Sequence, residues 1–423
     1  MVSESQAFDG GVLAESACCH CRRLGSDFKE RDLVRTLQKD RPLRMGLVGG
    51  GGNGFIGKVH TTAATLDRQA VLVAGALSSN PERSRESGVA MGIAPDRAYG
   101  SFHELINSEK LRSSDDRIDF VSIATPNHTH REIACAALEA GFHVVCDKPM
   151  TISTADADAM VTAVRDSQAV FALTHNYSGY PLVRQARELV ANGELGDLIA
   201  VRTNYVQGWM HGMDADKVPV RGAWKSDPNK NGRAGSLGDV GTHAFHLLQF
   251  ITGMTPSKVL SHMRSYSSHH ELDDYGHAML QFDAGATGMV TWSQVSHGRL
   301  NDLSIELDGT KASLAWRQEE PNQLYLRALG QPTRIYERNP NAAYTLPTAV
   351  AACRLPGGHP EAFFEAFANV YRDAFSDMRR VIRGEVHDPE SALYPTVAEG
   401  ADGVRFMQRC LASADSNAVW QSW

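Results

Sequence analysis

The sequence lacks three features that would each indicate a particular class of protein. It contains no run of about 18 apolar residues, so no transmembrane helix is predicted. It has no Lys/Arg-rich run and a net charge of −7, which argues against nucleic acid as a partner. Its seven cysteines are an odd number in a long chain, which argues against a disulfide framework. These absences leave a globular protein, for which we expect a cytoplasmic location.

The first 40 residues are predicted to be a polar extension of a two-domain protein, because 423 residues exceed one ordinary hydrophobic core. The extension contains a cysteine cluster, Cys18, Cys19 and Cys21. A structural zinc site normally needs a second pair of ligands at a suitable spacing, and none follows, so we predict no metal. The pair Arg22-Arg23 precedes a polar segment, which does not fit an export signal.

Residues 41–174 have the pattern of a parallel sheet. Short apolar segments alternate with segments of helical period, which is typical of βαβ units. Nearly continuous apolar strands indicate that helices cover both faces of the sheet. The predicted strands are 43–48, 70–77, 119–125, 142–146 and 169–174. We interpret this part as an α/β domain with a doubly wound parallel sheet.

Residues 175–423 are predicted to form a second, α+β domain. After a helix at 181–192, the predicted strands follow one another through short turns, such as Asp308-Gly309, without intervening helices. These strands are 198–207, 258–266, 277–282, 287–294, 303–307 and 313–317, and a helix follows at 360–383. The pattern favours a largely antiparallel, open sheet, one face of which is available to a partner subunit.

A glycine-rich loop joins the first predicted strand to the first helix. It fits the dinucleotide-binding pattern Gly-x-Gly-x-x-Gly from Gly52 to Gly57, with a second, shifted start at Gly49. Glycines let the backbone approach a pyrophosphate, whose charge then lies at the helix N-terminus. The candidate cofactor-binding residues of this loop are Gly49, Gly51, Gly52, Asn53, Gly54, Phe55 and Ile56.

The end of the second predicted strand bears on the choice between NAD and NADP. An Asp or Glu at this position would hold the ribose 2′-hydroxyl of NAD, but the strand ends without an acid. Ser78 and Ser79 are able to donate to a 2′-phosphate, and Arg83 is able to pair with it. We therefore favour NADP over NAD, with a solvated helix charge as the alternative role for Arg83.

Polar residues follow the next two strands, where ligands of an open parallel sheet bind. Thr125 and Asn127 end one strand, and Asp147 and Lys148 end the next. In the second domain, Asp239 and His243 are four residues apart, so on a helix they would share a face.

Four motifs together resemble the Gfo/Idh/MocA family over about residues 43–423: the glycine loop up to Gly57-Lys-Val-His60, then Ala124-Thr-Pro-Asn-His128, Asp147-Lys-Pro149 and Gly238-Asp-Val-Gly-Thr-His243. The resemblance implies a Rossmann domain plus an α/β domain, oxidation or reduction of sugars and cyclitols with NAD(P), and a homodimer or homotetramer. It implies that Lys148, Asp239 and His243 line the active site. Thr125, Asn127, His130, Asp147 and Lys148 complete the predicted cofactor-binding residues. Asp147 stands where the family usually has Glu, and the glycine loop is longer than usual.

The residue types suit this chemistry. Moving hydride from a carbon to nicotinamide requires the attached hydroxyl to lose its proton, and a base with a pKa near neutrality does this best. We hypothesise that His243 is the base and that Lys148 is a proton relay and electrostatic stabiliser, or that these two roles are exchanged. Asp239 would orient His243 or hold a sugar hydroxyl.

The predicted substrate-binding residues, besides His243, are Asn176, Tyr177, Trp209 and Arg233, because aromatic faces and hydroxyl-binding polar groups suit a sugar. For Trp209, core packing is an equally good interpretation. Two other functions stay open. One is a glycosidase that uses tightly held NAD for transient oxidation, and the other is a non-catalytic regulator that binds a dinucleotide.

Overall fold

The computed structural model describes residues 41–52, 54–210, 223–267 and 271–423. Residues 42–423 form one compact unit. The predicted extension, 1–40, and the candidate cofactor residue Asn53 lie outside the described residues. Within those ranges, no helix has both the length and the apolar composition needed to cross a membrane.

A five-stranded parallel sheet forms the first half of this unit, with the strand order β2-β1-β3-β4-β5. Its strands are β1 (Leu43–Gly49), β2 (Ala70–Ala76), β3 (Phe120–Ala124), β4 (His143–Cys146) and β5 (Phe171–Leu173). The connecting helices are α1 (Phe55–Thr65), α2 (Pro81–Ala90), α3 (Phe102–Leu111), α4 (His130–Glu139) and α5 (Thr154–Ser167). The chain reverses its winding direction between β1 and β3, which opens a crevice at the carboxyl ends of these strands.

Helices cover both faces of this sheet, as its apolar strands predict. Every residue of β3 is buried. Successive side chains of a strand point to opposite faces, so Phe120 packs in one core cluster with Val59 of α1, while Val121 packs in another with Leu138 of α4. The predicted doubly wound α/β fold is confirmed.

A nine-stranded sheet follows, with the order β13-β12-β11-β10-β6-β9-β8-β7-β14. Its strands are β6 (Leu198–Val206), β7 (Lys258–Arg264), β8 (Tyr275–Gln281), β9 (Thr287–Ser293), β10 (Asp302–Gly309), β11 (Ala312–Arg317), β12 (Gln323–Ala328), β13 (Arg334–Glu337) and β14 (Gln421–Ser422). The helices of this half are α6 (Pro181–Ala191), α7 (Pro228–Asn231), α8 (Thr242–Thr252), α9 (Pro347–Ala352), α10 (Phe363–Ile382) and α11 (Val397–Asp415).

The predicted largely antiparallel sheet is confirmed, with one parallel pair at its centre. β6 runs parallel to β9, because the chain between β6 and β7 crosses over through α8 instead of turning back directly. Helices α8 and α11 pack on one face of the sheet. The other face is open, and Met279 of β8 and Met289 of β9, which pair directly, are each more than two-fifths exposed there.

The last third of the chain contains elements that the sequence pattern did not reveal: β12, β13, β14, α9 and α11. A Thr-x-x-Glu signal does precede α11, where the Glu399 carboxylate accepts a hydrogen bond from the backbone N–H of Thr396 at 2.7 Å. Helix α10, predicted at 360–383, returns to the first sheet. Its Tyr371 hydroxyl lies 2.7 Å from both His60 Nδ1 on α1 and Ser122 Oγ on β3.

We expect Gly57→Ala to lower the melting temperature and to weaken dinucleotide binding. Alanine normally stabilises a helix interior by about 1 kcal/mol relative to glycine. At Gly57, however, a Cβ would overlap the carbonyl oxygen of Gly50 in the glycine turn. Thermal unfolding and titration with the dinucleotide measure both effects.

Gly403→Ala in α11 is the matched control. The nearest atom to a Cβ at Gly403 is His175 Nε2, at an ordinary contact distance of 4.0 Å. This variant should keep or raise the melting temperature. If Gly57→Ala melts at the same temperature as Gly403→Ala, the close packing of α1 on the glycine turn does not exclude a Cβ at position 57.

Candidate active site

The glycine turn brings backbone close to the crevice of the first sheet. Gly49, Gly50 and Gly52 have positive φ angles of 82°, 69° and 62°, which side chains disfavour. Gly51 N donates to the carbonyl of Leu77 at 3.2 Å, which ties the turn to the end of β2. Gly54 is the N-cap residue of α1 and, as a glycine, supplies no side chain to cap the first turn of this helix. The N-terminus of a helix that follows a glycine turn is an anion site of the kind that binds pyrophosphate.

A cleft of about 1050 Å³ begins at this turn and extends to the start of α8. Most of the predicted site residues line it: Gly51, Gly52, Gly54, Phe55, Ile56, Arg83, Thr125, Asn127, Asp147, Lys148, Asn176, Tyr177, Asp239 and His243. The carboxyl ends of the parallel strands thus share one cavity with residues of the second sheet.

Six predicted residues do not line the cleft: Gly49, Ser78, Ser79, His130, Trp209 and Arg233. Gly49 has no room for a side chain in the turn, since a Cβ there would lie 2.5 Å from the carbonyl oxygen of Ala124. Ser78 Oγ accepts a hydrogen bond from the backbone of Asn80 at 3.2 Å, in the turn before α2. Ser78 and Ser79 follow the cleft-lining Leu77 without lining the cleft themselves, and their predicted contact with a 2′-phosphate stays a prediction.

His130 has a structural position instead of the predicted cofactor contact. It is fully buried, and its ring nitrogens lie 2.9 Å from the carbonyl oxygen of Thr125 and 3.0 Å from that of Pro149. His130 thereby connects the two strand-end loops that carry Asn127 and Lys148. Burial lowers its pKa.

Trp209 and Arg233 lie outside the cleft for different reasons. Trp209 is half exposed, and its indole N–H donates to the Gln207 side chain at 3.0 Å, so it contacts the cavity only through a lining residue. The guanidinium of Arg233 forms an exposed ion pair with Asp415 at 2.9 Å. The structure thus places Arg233 outside the lining of the cleft, and its substrate role stays a prediction.

A lysine–aspartate pair joins the two sheets inside the cleft. Lys148 follows β4, and its ammonium donates to the backbone carbonyl of Asp239 at 2.6 Å and to its Oδ1 at 3.0 Å. Asp239 lies in a π-helical turn, Leu237–Gly241, that leads into α8. Such wide turns are frequent at functional sites. Lys148 is thus fixed by both the main chain and the side chain of one residue.

The π-helical turn is held by a buried carboxylate that the sequence did not single out. Asp273 accepts hydrogen bonds from the backbone N–H groups of Gly235 at 2.6 Å and Leu237 at 2.8 Å. It also accepts one from the indole of Trp292 at 2.8 Å. These bonds place Asp239 opposite Lys148.

Asp239 has two further partners. Lys225 Nζ lies 3.0 Å from both carboxylate oxygens, and Gln294 Nε2 donates to Oδ2 at 2.8 Å. Burial alone would raise the pKa of Asp239, but the charges and hydrogen bonds of Lys148 and Lys225 hold it well below its ordinary value. Asp239 is therefore an anion whose oxygens are committed to these donors, and it does not hold His243.

His243 is buried at the start of α8, and its partner is another histidine. Its Nδ1 lies 3.2 Å from Nδ1 of His175, which follows β5. Burial, reinforced by the charge of Lys148, lowers the pKa of His243 well below its ordinary value of 6.5. The ring is thus a neutral imidazole beside an ammonium group.

Several functional candidates were missed by the sequence analysis. Besides Lys225, they are the cleft-lining residues Tyr205, Gln207, Asn301 and Gln318. The last three lie directly beside the ends of β6, β10 and β11, so strand boundaries would have indicated them. Lys225 had no comparable signal, because it lies 14 residues before Asp239 in a polar segment.

Comparison with known proteins agrees with this geometry. Residues 43–175 match the family described as "Oxidoreductase family, NAD-binding Rossmann fold", and residues 183–315 match "GFO/IDH/MocA C-terminal domain". An uncharacterized oxidoreductase, YfiI of Bacillus subtilis, is 31% identical over 383 residues, which cover 90% of this chain and 96% of the relative. Levoglucosan dehydrogenase of Pseudarthrobacter phenanthrenivorans is 30% identical over 312 residues, which cover 67% of this chain and 75% of that enzyme.

Solved structures of similar fold include inositol dehydrogenase homologs. An inositol dehydrogenase homolog from Azotobacter vinelandii, complexed with NAD+, has a TM-score of 0.84 at 36% identity, covering 90% of this chain and 98% of that chain. The structure of an inositol dehydrogenase homolog from the same organism with NADH and myo-inositol has a TM-score of 0.82 at 35% identity. The match covers 91% of this chain and 99% of that chain.

We expect the melting temperature to fall as the pH drops from 6.5 to 5. Burial lowers the pKa of His130, His175 and His243 around the cleft, and lowers that of His143 on β4 to about 4. Below pH 6.5 the unfolded chain binds protons at these rings while the folded chain does not, so folding loses up to about 1.4 kcal/mol per pH unit for each ring. Thermal unfolding across this range measures the slope.

His143→Phe should make this slope shallower, because it removes one ring that must stay neutral in the folded protein. A melting temperature that is flat or rises between pH 6.5 and pH 5 would contradict the neutral state of the buried histidines.

Proposed function

The chain belongs to the Gfo/Idh/MocA family of oxidoreductases, and we propose that it transfers hydride between a nicotinamide dinucleotide and a secondary alcohol or ketone of a sugar, sugar derivative or cyclitol. The observation that carries this proposal is the meeting of Lys148, Asp239 and His243 in the cleft that starts at the glycine turn. These are an ammonium, a carboxylate and a neutral imidazole, which together suit proton removal from a hydroxyl.

The residues of the cleft fit a nicotinamide dinucleotide. A Cβ at Gly52 would meet no described atom within 4 Å, so the turn is open on that side, and α1 begins beside it with its positive N-terminal end. When bound, the dinucleotide supplies the hydride acceptor or donor. Thr125, Asn127 and Lys148 lie beyond the turn at the strand ends, where they would border the reactive end of the cofactor.

The geometry supports one of the two assignments of base and donor. Lys148 donates two of its three ammonium N–H groups to Asp239, and we assign the third to a substrate oxygen. The neutral ring of His243 has a lone pair that accepts the hydroxyl proton during oxidation and returns it during reduction. Asp239 keeps Lys148 in place and balances its charge.

The wall of the cleft suits an uncharged, hydroxyl-rich substrate. The Asn176 side chain is 3% exposed, and its Nδ2 has no hydrogen-bond partner among the described residues. A buried amide donor of this kind calls for an acceptor from a ligand. Tyr177 and Asn301 add further hydrogen-bonding groups. The levoglucosan and inositol names of the relatives support the same class.

The test is a panel of sugars and inositols assayed with NAD and NADP at the reduced-nicotinamide absorbance band. We expect an absorbance change in proportion to substrate. Product release without this change would indicate the glycosidase, and neither signal would indicate the regulator. Lys148→Met should lower kcat by about 10²- to 10⁴-fold, because the substrate oxygen loses its charged donor.

Lys110→Met, an exposed position on α3, is the control and should keep the wild-type rate. Binding of the dinucleotide, followed by fluorescence, should survive in both variants. A near wild-type kcat for Lys148→Met would remove this residue from the mechanism.

We also propose that NADP is accepted and that Arg83 is the residue that holds its 2′-phosphate. Arg83 is exposed and lines the cleft, and β2 ends without the acid that would select NAD. Arg83→Ala should therefore lower kcat/KM for NADP relative to NAD by about tenfold, which corresponds to the loss of one charge-assisted contact.

Arg85→Ala is the matched control, since Arg85 lies on the same helix and pairs with Glu104 at 2.7 Å. Arg85→Ala should leave the ratio of kcat/KM for NADP to kcat/KM for NAD unchanged. An unaltered ratio in Arg83→Ala would mean that Arg83 is only a solvated helix charge.

The open face of the nine-stranded sheet favours self-association. The directly paired Met279 and Met289 present apolar surface there, and a sheet face of this kind is typically covered. We propose that this face forms the contact of a homodimer or homotetramer.

A further inference from the structure

The base proposed above makes one hydrogen bond that its chemistry depends on. His243 and His175 face each other through Nδ1 atoms 3.2 Å apart. A hydrogen bond between two neutral rings needs one Nδ1 to carry the proton and the other to carry the lone pair. The ring that donates fixes its own tautomer, and with it the state of its second nitrogen, Nε2.

The surroundings of His175 hold it rigidly in this position. It is 1% exposed and stacks on His246, with ring centroids 4.5 Å apart and an interplanar angle of 8°. His246 Nε2 in turn lies 3.7 Å from the Glu399 carboxylate on α11. On the other side, the Tyr177 ring meets His243 edge-on at 4.8 Å. The two imidazoles therefore have little freedom to separate or rotate.

We propose that His175 is a positioning residue that accepts the Nδ1–H of His243 and so keeps the Nε2 lone pair of His243 available to the substrate. This inference rests on the proposed function of His243 as the base. The reverse arrangement would put the proton on Nε2 of His243, which would leave no lone pair for the hydroxyl proton. Asp239 does not supply this orientation, because its oxygens are held by Lys148, Lys225 and Gln294.

The proton balance is simple. During oxidation the substrate O–H bond breaks, its proton forms an N–H bond at Nε2 of His243, and the electron pair of the C–H bond leaves with the hydride to the dinucleotide. The resulting imidazolium donates its Nδ1–H to the lone pair of His175, which stays neutral with its own proton on Nε2. Reduction reverses each step.

The titratable groups around His175 and His243 determine the pH range in which both rings are neutral. Burial, followed by the neighbouring histidines and Lys148, lowers the pKa of His175 well below 6.5, so both rings are neutral near pH 7. The other titratable groups that face the pair are Lys148 and Asp147 after β4, Asp239 before α8, His246 on α8, Glu399 on α11, Tyr177 after β5 and Tyr205 on β6.

The first experiment reads the tautomer without any substrate. In protein labelled with ¹⁵N-histidine, nitrogen–proton correlation spectra at pH 7.5 distinguish Nδ1–H from Nε2–H, and His243→Asn assigns the signal. We expect His243 to be protonated at Nδ1 in the wild type, and to lose this preference in His175→Phe. A wild-type His243 that carries its proton on Nε2 would overturn the proposal, whether or not any sugar is oxidised.

The second experiment measures kcat, KM and the pH profile of kcat/KM with the best substrate of the panel. His175→Phe keeps the ring stack on His246 but removes the acceptor, and should lower kcat by about 10- to 100-fold with an unchanged KM. The midpoint of the acidic limb of its kcat/KM profile should also shift, because the imidazolium form of His243 loses its hydrogen-bond acceptor. His175→Asn places an amide oxygen near the same position and should recover most of kcat.

His143→Phe controls for the general effect of losing a buried imidazole, since His143 accepts a backbone hydrogen bond from Val170 on the first sheet. It should lower the melting temperature without changing the pH profile. If His175→Phe does not fold, the wild-type tautomer and His175→Asn decide the question. Wild-type kcat and pH profile in a folded His175→Phe would overturn the proposal, whereas inactivity of the wild type on every substrate would refute only the proposed function.

Discussion

The cleft depends on the contact between one ammonium group and one turn of backbone. Lys148 leaves the parallel sheet after β4 and bonds both the carbonyl and the carboxylate of Asp239, at the entrance to α8. The Lys148 side chain is only 14% exposed, and a charge with so little water needs such partners. This pair links the parallel sheet to the π-helical turn before α8 inside the cleft.

A second constraint follows from placing an imidazole next to that ammonium. Burial and the charge of Lys148 keep His243 neutral, while the same lysine and Lys225 keep Asp239 ionised. Both pKa values are lowered, and the consequence differs with the group: a lowered pKa keeps the imidazole neutral and the carboxylate charged. The oxygens of Asp239 are bonded to other donors, and the nitrogen of His175 lies within hydrogen-bond distance of His243, at 3.2 Å.

Local patterns were sufficient for the parts of the fold in which each strand or helix carries its own signal. The glycine turn, the apolar strands of the first sheet and the hairpin turns of the second were all predicted within a few residues. Patterns do not show partners that are distant along the chain: Arg233 pairs with Asp415, and His130 contacts two strand-end loops. Lys225 and Asp273 showed no local signal at all, because their roles arise from residues far along the chain.

The amino-acid sequence by itself determined the α/β and α+β parts and the glycine turn, since periodicity and backbone freedom are local properties, and the resemblance of its motifs to a family singled out Lys148, Asp239 and His243. Only the tertiary structure decided which group each of these residues bonds, which of the described histidines face the cleft and which charges balance inside it. Hydrogen bonding and desolvation depend on the atoms that surround a group in space, and the order of residues along the chain does not specify those atoms.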